Sequence, residues 1–126
     1  MRYDIISDTH GFLEPDLLDQ LQGADVIVHA GDICSGADYR TLQKIAPVFS
    51  SGLRWQVVHY RQHLNLLKCD VAICGHTHRP FVERDEWTGT LVMNPGSPTY
   101  PRGSKPSMGR ILCEDGRVVD AQIIEL

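Results

Sequence analysis

Residues 3–10 of this 126-residue chain read Tyr-Asp-Ile-Ile-Ser-Asp-Thr-His. The first part of this stretch is mostly apolar and β-branched, which predicts a buried strand, and its end carries a carboxylate and an imidazole just past that strand. Residues two apart in an extended chain project to the same side, so we expect Asp8 and His10 to reach one point. Carboxylate and imidazole at this spacing are typical of a site for divalent metal ions.

Two later apolar runs end in the same way. Asp32 follows the predicted strand 26–30, and His76 and His78 follow the predicted strand 71–74. The carboxyl ends of parallel strands meet at one edge of a sheet, where α/β proteins bind their ligands. The three clusters together therefore predict one metal site built from oxygen and nitrogen donors.

Strands and helices alternate up to Pro80, and strands alone follow it. Helices are predicted over 15–21, from about 37 to 45 and over 62–68, and strands over 3–7, 26–30, 55–59 and 71–74, with another beginning at 48–49. The later strands are expected over 81–83, 90–93, 109–113 and 118–124, with Asp115-Gly116 as a hairpin turn. We expect a single α/β domain over residues 1–126, in which a mainly parallel, helix-covered sheet from the first half packs against a sheet of C-terminal strands.

Composition limits the class of protein and its partners. The chain carries 12 Lys and Arg against 16 Asp and Glu, a net charge of −4, which argues against a nucleic-acid-binding surface. Its four cysteines show no Cys-x-x-Cys spacing and its first residues do not resemble a signal peptide, so we expect a cytoplasmic protein with reduced thiols. No apolar stretch approaches the roughly 20 residues needed to span a bilayer, and we expect no membrane partner.

Four stretches resemble the calcineurin-like metallophosphoesterases, and in particular their small bacterial and archaeal phosphodiesterases. They are Ile6-Ser7-Asp8-Thr9-His10-Gly11, His29-Ala30-Gly31-Asp32-Ile33, Gly75-His76-Thr77-His78-Arg79-Pro80, and Asn94-Pro95-Gly96-Ser97 with Pro101-Arg102-Gly103. They occur in the family's order over nearly the whole chain. The resemblance implies a four-layer α/β/β/α metallophosphoesterase-like sandwich, shortened in the middle, with two metal ions bridged by one carboxylate.

The resemblance also implies which residues bind the metals. Carried over position by position, it assigns the first ion to Asp8, His10, Asp32 and His78, and the second to Asp32, as the bridge, and His76. One or two divalent ions per chain are expected. Manganese is the expected metal. Iron, nickel and zinc are also compatible, because the donors are nitrogen and oxygen without thiolate.

Three other histidines need separate interpretations. Relatives carry a metal-binding His at the end of a strand near His59, but here Tyr60 and Arg61 replace the small residue and the second His that usually follow. His59 is therefore a candidate metal ligand, with a structural His as the alternative. His29 is expected to be packed or to support a ligand from behind, and His63 to face solvent on a short helix.

The family's Gly-Asn motif, whose Asn binds the second metal, has no counterpart here. The chain's only asparagines are Asn65 and Asn94, neither preceded by Gly, and only a short segment separates Pro47 from His59. Phe49-Ser50-Ser51-Gly52 resembles a junction across a deletion, and either serine is a doubtful replacement for the Asn. We expect the first metal site to survive, the second to be weakened, and hydrolysis to be slow or absent.

The implied activity is hydrolysis of a small phosphodiester or other phosphate ester by a metal-activated hydroxide. No catalytic residue is assigned beyond the metal ligands. Arg79 and Arg102 are candidates for binding substrate oxygens, with ordinary surface arginines as the alternative. A non-catalytic protein-interaction scaffold of the same fold, such as the retromer scaffold subunit, is the competing interpretation, although unpaired buried carboxylates are costly to keep. Formation of a homo-oligomer is left open.

Overall fold

The computed structural model describes residues 1–45 and 53–126 and contains two four-stranded sheets. The strands in chain order are β1 (Arg2–Ile6), β2 (Val26–His29), β3 (Trp55–Val57), β4 (Val71–Ile73), β5 (Phe81–Arg84), β6 (Leu91–Asn94), β7 (Ser107–Glu114) and β8 (Arg117–Glu125). The helices are α1 (Pro15–Leu21) and α2 (Gly36–Ile45), with 3₁₀ helices at Arg61–His63 and Leu66–Lys68. The first sheet has the order β2-β1-β7-β8 and the second β3-β4-β6-β5. The α/β fold with two sheets is thus confirmed.

The two sheets pack face to face around the main core. Ile5 of β1 and Ile111 of β7 meet Ile73 and Met93 of the second sheet there, all fully buried. Successive side chains of a strand point to opposite faces, so Ile6 lies on the outer face of the first sheet. On that face it belongs to a second core with side chains from both α-helices, the buried members being Ile6, Leu17, Leu21, Leu42 and Met108.

The outer face of the second sheet has a thinner cover. Leu64 and Leu66 pack there against Ala72 and Val92. The helix predicted over 62–68 is two separate 3₁₀ turns, because the Asn65 side chain accepts a hydrogen bond from the N–H of Leu67 at 3.2 Å and so caps a new turn. Within the described ranges, these two turns are the helical structure of the fourth layer.

The prediction that the first-half strands share one parallel sheet was wrong. β1 pairs in parallel with β2, but on its other side it pairs antiparallel with the C-terminal β7. β3 and β4 belong to the second sheet and are parallel to each other. In that sheet β4 is also parallel to β6, and β5 is antiparallel to β6. An apolar pattern marks which face of a strand is buried, but it does not show which neighbour supplies the hydrogen bonds.

Most predicted element boundaries shift by one or two residues. β3 ends at Val57 rather than at His59, and β7 begins at Ser107. The strand expected from 48–49 and the junction at 49–52 lie outside the described residues. The hairpin turn is confirmed, since Asp115 and Gly116 between β7 and β8 have φ angles of 52° and 74°. None of the helices in the described residues has the length and apolar character needed to span a bilayer.

A buried ion-pair network ties the first sheet to the end of α1. Asp4 is fully buried, and its two oxygens accept hydrogen bonds from Arg2 at 3.1 and 2.7 Å and from Arg110 at 2.8 and 3.2 Å. Both guanidinium groups also donate to the carbonyl of Gln20, at 2.8 and 2.9 Å. That carbonyl lies in the last turn of the helix, where carbonyls lack helical partners. The Asp4 carboxylate and its two arginines thus link β1, β7 and the end of α1.

We predict that Asp4→Asn lowers the free energy of unfolding by about 2–4 kcal/mol, because the substitution leaves two partly buried guanidinium groups without their counter-charge. Urea denaturation of the metal-free protein measures the loss. Asp120→Asn, an exposed position on β8, is the matched control and should change stability by less than about 0.5 kcal/mol. Equal effects of the two substitutions would contradict the prediction.

Candidate metal centre

The three predicted donor clusters meet at one end of the two sheets. Asp8 and His10 follow β1, and Asp32 follows β2. His59 follows β3 and His78 follows β4, which belong to the other sheet. The donors therefore come from the carboxyl ends of parallel strands in both sheets, and the site lies between the sheets rather than at the edge of one.

The loops that carry the donors turn through left-handed backbone. The φ angle is 57° at Asp8, 50° at His10, 58° at Asp32, 68° at His76 and 61° at His78. The extended geometry expected for Asp8 and His10 was therefore wrong, although both side chains do reach one place. Asp and His tolerate this region better than most residues, but each such position still costs about 1 kcal/mol or more. The surrounding structure must hold these loops.

Backbone hydrogen bonds hold the first two loops side by side. The N–H of Asp8 donates to the carbonyl of Gly31, and the N–H of His10 donates to the carbonyl of Asp32, both at 2.9 Å. These bonds continue the β1–β2 pairing beyond the strand ends. Three predicted ligands thereby have their backbones fixed relative to one another.

The carboxylate of Asp8 is fully buried, and its two oxygens differ in their partners. Oδ2 accepts hydrogen bonds from Ser7 Oγ at 2.5 Å and from the N–H of His76 at 3.0 Å. Oδ1 has no hydrogen-bond partner among the described residues. A buried, unpaired carboxylate oxygen is costly, so this atom marks a place for a cation.

Three imidazole nitrogens surround that unpaired oxygen. Nε2 of His78 lies 3.2 Å from Asp8 Oδ1, and Nε2 of His59 and of His10 lie at 3.8 and 3.9 Å. The Nε2 atoms of His10 and His78 are themselves only 3.4 Å apart. Such a concentration of lone-pair atoms requires protons or metal ions among them.

Backbone carbonyls set the orientation of two of these rings. Nδ1 of His59 lies 2.9 Å from the carbonyl of Ala30, and Nδ1 of His78 lies 2.5 Å from the carbonyl of Tyr100. A carbonyl only accepts, so each Nδ1 carries the proton. The hydrogen bond at Nδ1 therefore turns Nε2 of each ring towards Asp8, which is how a carbonyl acceptor orients a metal-binding imidazole.

The side chains form two groups that could each hold an ion. One consists of Asp8, His10 and His78 and the other of Asp8, Asp32 and His59, with the ligand atoms of each group within 4.8 Å of one another. Asp8 belongs to both. Asp32 also reaches both sides, because its Oδ2 lies 3.2 Å from His59 Nε2 and 3.7 Å from His10 Nε2. The donor set and the unpaired oxygen thus fit a pair of divalent cations.

His76 does not join either group. Its backbone N–H binds Asp8, but its side chain is exposed, and its ring centroid lies 4.5 Å from that of Tyr60 and 5.1 Å from that of His59. The ring of Tyr60 packs against the imidazole of His76. The predicted ligand His76 is therefore next to the second group and outside it.

His29 supports the site from behind. Its Nδ1 accepts a hydrogen bond from the N–H of Gly31 at 3.1 Å, so Nε2 carries the proton and donates to Thr9 Oγ1 at 3.0 Å. Burial lowers the pKa of His29 to about 4. This neutral, packed imidazole fits the expectation from the sequence. His63 is exposed on its 3₁₀ turn, also as expected.

Two residues of the Asn-Pro-Gly-Ser motif hold the site together, a role that the sequence did not reveal. Ser97 Oγ donates to the carbonyl of Asp8 at 2.8 Å and accepts from the N–H of Tyr100 at 2.8 Å. Asn94 Nδ2 donates to the carbonyl of Gly75 at 3.1 Å. Asn94 is buried and fully engaged, so it is no substitute for the family's missing metal-binding Asn. The Asn-Pro-Gly-Ser motif was the sequence signal that could have indicated this supporting role.

The structure separates the two candidate arginines. Arg102 lines a cleft of about 510 Å³ that reaches the donors, together with His10, His78, Tyr100 and Pro101. Arg79 is exposed and is not among the residues that line this cleft. Of the two candidate arginines, Arg102 therefore lies in the cleft beside the donors and Arg79 does not.

Comparison with known proteins gives the family. The chain matches the calcineurin-like phosphoesterase superfamily domain over residues 1–59 and 50–116, and it belongs to that superfamily. The match comes in two pieces that overlap at residues 50–59, which is the region where the Gly-Asn motif was expected.

Individual relatives agree with this assignment. A "Probable metallophosphoesterase" from Methanothermobacter thermautotrophicus is 32% identical, with 98% of this chain and 92% of that protein covered. Their alignment runs over 161 positions, so the relative has residues without a counterpart in these 126.

Solved structures show the same fold. The zinc complex of Vps29 from Entamoeba histolytica has a TM-score of 0.74 at 18% identity, covering 99% of both chains. A structure described as a novel archaeal phosphodiesterase has a TM-score of 0.65 at 20% identity and covers 100% of both chains. At these identities the likeness shows the fold alone.

We predict that Gly75→Ala damages the metal centre. A Cβ atom there would lie 2.8 Å from Asp8 Oδ2 and 3.2 Å from the carbonyl of Ala30, and closer still to Ser7 Oγ. Overpacking of this kind costs about 1–3 kcal/mol and displaces the carboxylate, so the rise in melting temperature on adding manganese should shrink. Gly36→Ala is the control, because its Cβ would meet only the Arg40 side chain at 3.4 Å. An unchanged manganese response in Gly75→Ala would refute the prediction.

We predict that His29 makes the metal-free protein less stable in mild acid. Its pKa of about 4 lies below its ordinary value of 6.5, so the unfolded chain binds the proton first. Its contribution to stability is complete above about pH 6.5 and is lost as the pH falls through 4, a loss on the order of 3 kcal/mol. Urea denaturation from pH 7 to pH 4 should give a flatter profile for His29→Gln than for the wild type. His63→Gln, at an exposed position, should leave the profile unchanged, and parallel profiles for His29→Gln and wild type would exclude the effect.

Proposed function

We propose that this protein is a metal-dependent phosphodiesterase. The observation that carries the proposal is the buried Oδ1 of Asp8, which has no hydrogen-bond partner in the described part of the chain and faces three imidazole nitrogens. A structural carboxylate would be expected to have its donors. Membership of the superfamily supports the same interpretation.

The two groups of side chains define the roles. Asp8, His10 and His78 would hold the first ion, and Asp32 and His59 with Asp8 the second. His76 would join the second ion after its ring turns away from Tyr60. Manganese suits this nitrogen and oxygen set, and iron, nickel and zinc are compatible.

When bound, the two cations would activate a water molecule and offset charge on the phosphoryl oxygens. The protein's own part is to hold the ligands and to orient the substrate. Ser97 and His29 fix the loops, and Arg102 would donate to the non-bridging oxygens of the phosphate. Arg102 is the one guanidinium group among the described residues that line the cleft.

The second ion is expected to bind more weakly than the first. The donors of its group are the shared Asp8, the partly exposed Asp32 and His59, and the family's Asn is missing from the sequence. The first group consists of Asp8, the half-buried His10 and the buried His78. A burial difference of this kind gives the first ion the better-shielded site, so hydrolysis should depend on high metal concentration.

A scaffold function is the alternative, and the similarity to Vps29 shows only that the fold is shared. The metal centre argues against it. Three imidazoles turned towards one carboxylate oxygen serve no purpose in packing, because none of them makes a hydrogen bond to that oxygen and its burial adds an electrostatic cost.

We predict that Asp8→Asn removes the tightly held ion without destabilising the metal-free protein. Asn can keep the two hydrogen bonds at Oδ2 and place an amide donor where Oδ1 now faces Nε2 of His78 at 3.2 Å. The melting temperature without metal should therefore stay the same or rise. Plasma emission should find about one ion per chain in the wild type and none in the variant, and turnover of bis(p-nitrophenyl) phosphate with manganese should vanish.

Matched variants complete this test. His59→Asn should weaken the response of turnover to added manganese and retain the tight ion, whereas His63→Asn should change neither. If the wild type binds no metal, or if Asp8→Asn hydrolyses the ester as the wild type does, the proposed function is wrong.

A further inference from the structure

Two exposed aromatic rings stand beside the candidate metal centre. Phe12, two residues after His10, is 51% exposed, and Tyr100 is 46% exposed. Their ring centroids lie 6.2 Å apart in an edge-to-face arrangement, which is within the range of interacting aromatic pairs. Large apolar rings left in water beside a cleft indicate a surface that a ligand covers.

Hydrogen bonds fix the Tyr100 backbone relative to the metal ligands. Ser97 Oγ binds the carbonyl of Asp8 and the N–H of Tyr100, both at 2.8 Å. The carbonyl of Tyr100 in turn accepts the Nδ1 proton of His78 at 2.5 Å. The backbone that carries the aromatic ring is therefore held by the same contacts that hold the proposed metal ligands.

The Phe12 loop is joined to the same unit. Thr99 Oγ1 donates to the carbonyl of Phe12 at 3.5 Å, and the N–H of Phe12 donates to the carbonyl of Thr9 at 3.1 Å. The two loops that carry the rings are thus linked to each other as well as to the centre. A surface ordered before binding loses less entropy when a ligand arrives.

The cleft places anion-binding groups and an aromatic wall next to each other. The ring of Tyr100 meets the ring of His10 edge to face, with centroids 5.5 Å apart, and both line the cleft of about 510 Å³ together with Arg102. That volume lies within the range of small-molecule sites. A ligand with a phosphate at the imidazole and guanidinium end would bring its next group against Tyr100.

We propose that Tyr100 and Phe12 bind a planar aromatic group of the substrate, such as a nucleobase, while Arg102 and the metal centre bind its phosphate. The inference rests on the proposed phosphodiesterase function and gives it a substrate class. The expected substrates are nucleotide-type phosphate esters, and esters that carry only aliphatic alcohol groups are expected to be poorer substrates. Stacking on an aromatic side chain is tolerant of the base, so the surface selects a ring and not a particular nucleobase.

Binding measurements test this without turnover. The manganese-loaded protein is titrated by calorimetry with AMP and with ribose 5-phosphate, which share the phosphate and sugar but differ in the base. AMP should bind about tenfold more tightly or better, as expected for one stacked base. Tyr100→Ala should remove most of that preference while weakening ribose 5-phosphate much less, and Tyr100→Phe should keep it.

Control variants separate stacking from loss of structure. Tyr100→Ala retains the backbone carbonyl that holds His78, and Phe12→Ala should lower the AMP preference by itself if the first variant does not fold. Trp87→Ala removes a 95% exposed ring from the turn between β5 and β6 and should leave the preference intact. Equal affinities for AMP and ribose 5-phosphate in the wild type, or an equal loss of both in Tyr100→Ala, would overturn the proposal.

Turnover distinguishes this inference from the function on which it rests. Thymidine 5′-(p-nitrophenyl phosphate) and methyl p-nitrophenyl phosphate have the same leaving group and differ in the ester that is retained. A higher kcat/KM for the nucleoside ester, abolished in Tyr100→Ala, supports both proposals. An AMP preference in binding with neither ester hydrolysed supports the aromatic surface and refutes the phosphodiesterase. Equal hydrolysis of both esters with no AMP preference refutes the aromatic surface alone.

Discussion

The buried carboxylate of Asp8 is the constraint on which the rest of the site depends. One of its oxygens is held by Ser7 and by the backbone of His76, and so joins the two sheets, while the other has no partner among the described residues. Ser97 fixes the backbone of the same residue. The fold holds one oxygen of this carboxylate rigidly and leaves the other facing imidazole nitrogens. This arrangement prepares a cation site, and its cost is that the carboxylate loses its solvation by water.

Left-handed backbone at the ligands is the second cost of this arrangement. Asp8, His10, Asp32 and His78 all have positive φ angles, and each would relax in a free peptide. Paired loops, buried carbonyl acceptors and the neutral imidazole of His29 hold them in place. Backbone strain at the proposed ligands, maintained by the surrounding contacts, is typical of a site that the fold keeps for function.

We attribute the weaker donor group of the proposed second ion to two features of the sequence around β3. The segment between α2 and β3 lacks the Gly-Asn motif that the resemblance implied, and the ring of Tyr60, which follows β3, packs on His76. Both features concern the residues proposed for the second ion rather than His10 and His78. The aromatic rings of Phe12 and Tyr100 lie on the opposite, first-group side, next to His10, so substrate binding and the better-shielded ion would occupy the same part of the cleft.

The sequence by itself determined most strands, the α/β class, the family and which residues lie near the centre, because apolar periodicity and donor spacing are local properties of the chain. It did not determine which strands pair, and β3 and β4 were wrongly placed in a sheet with β1. It also gave the wrong backbone geometry for Asp8 and His10, and it left Ser97, Asn94 and Tyr100 without roles. Only the tertiary structure decided these points, since hydrogen bonds between distant segments and the unpaired state of one oxygen depend on how loops from two sheets meet.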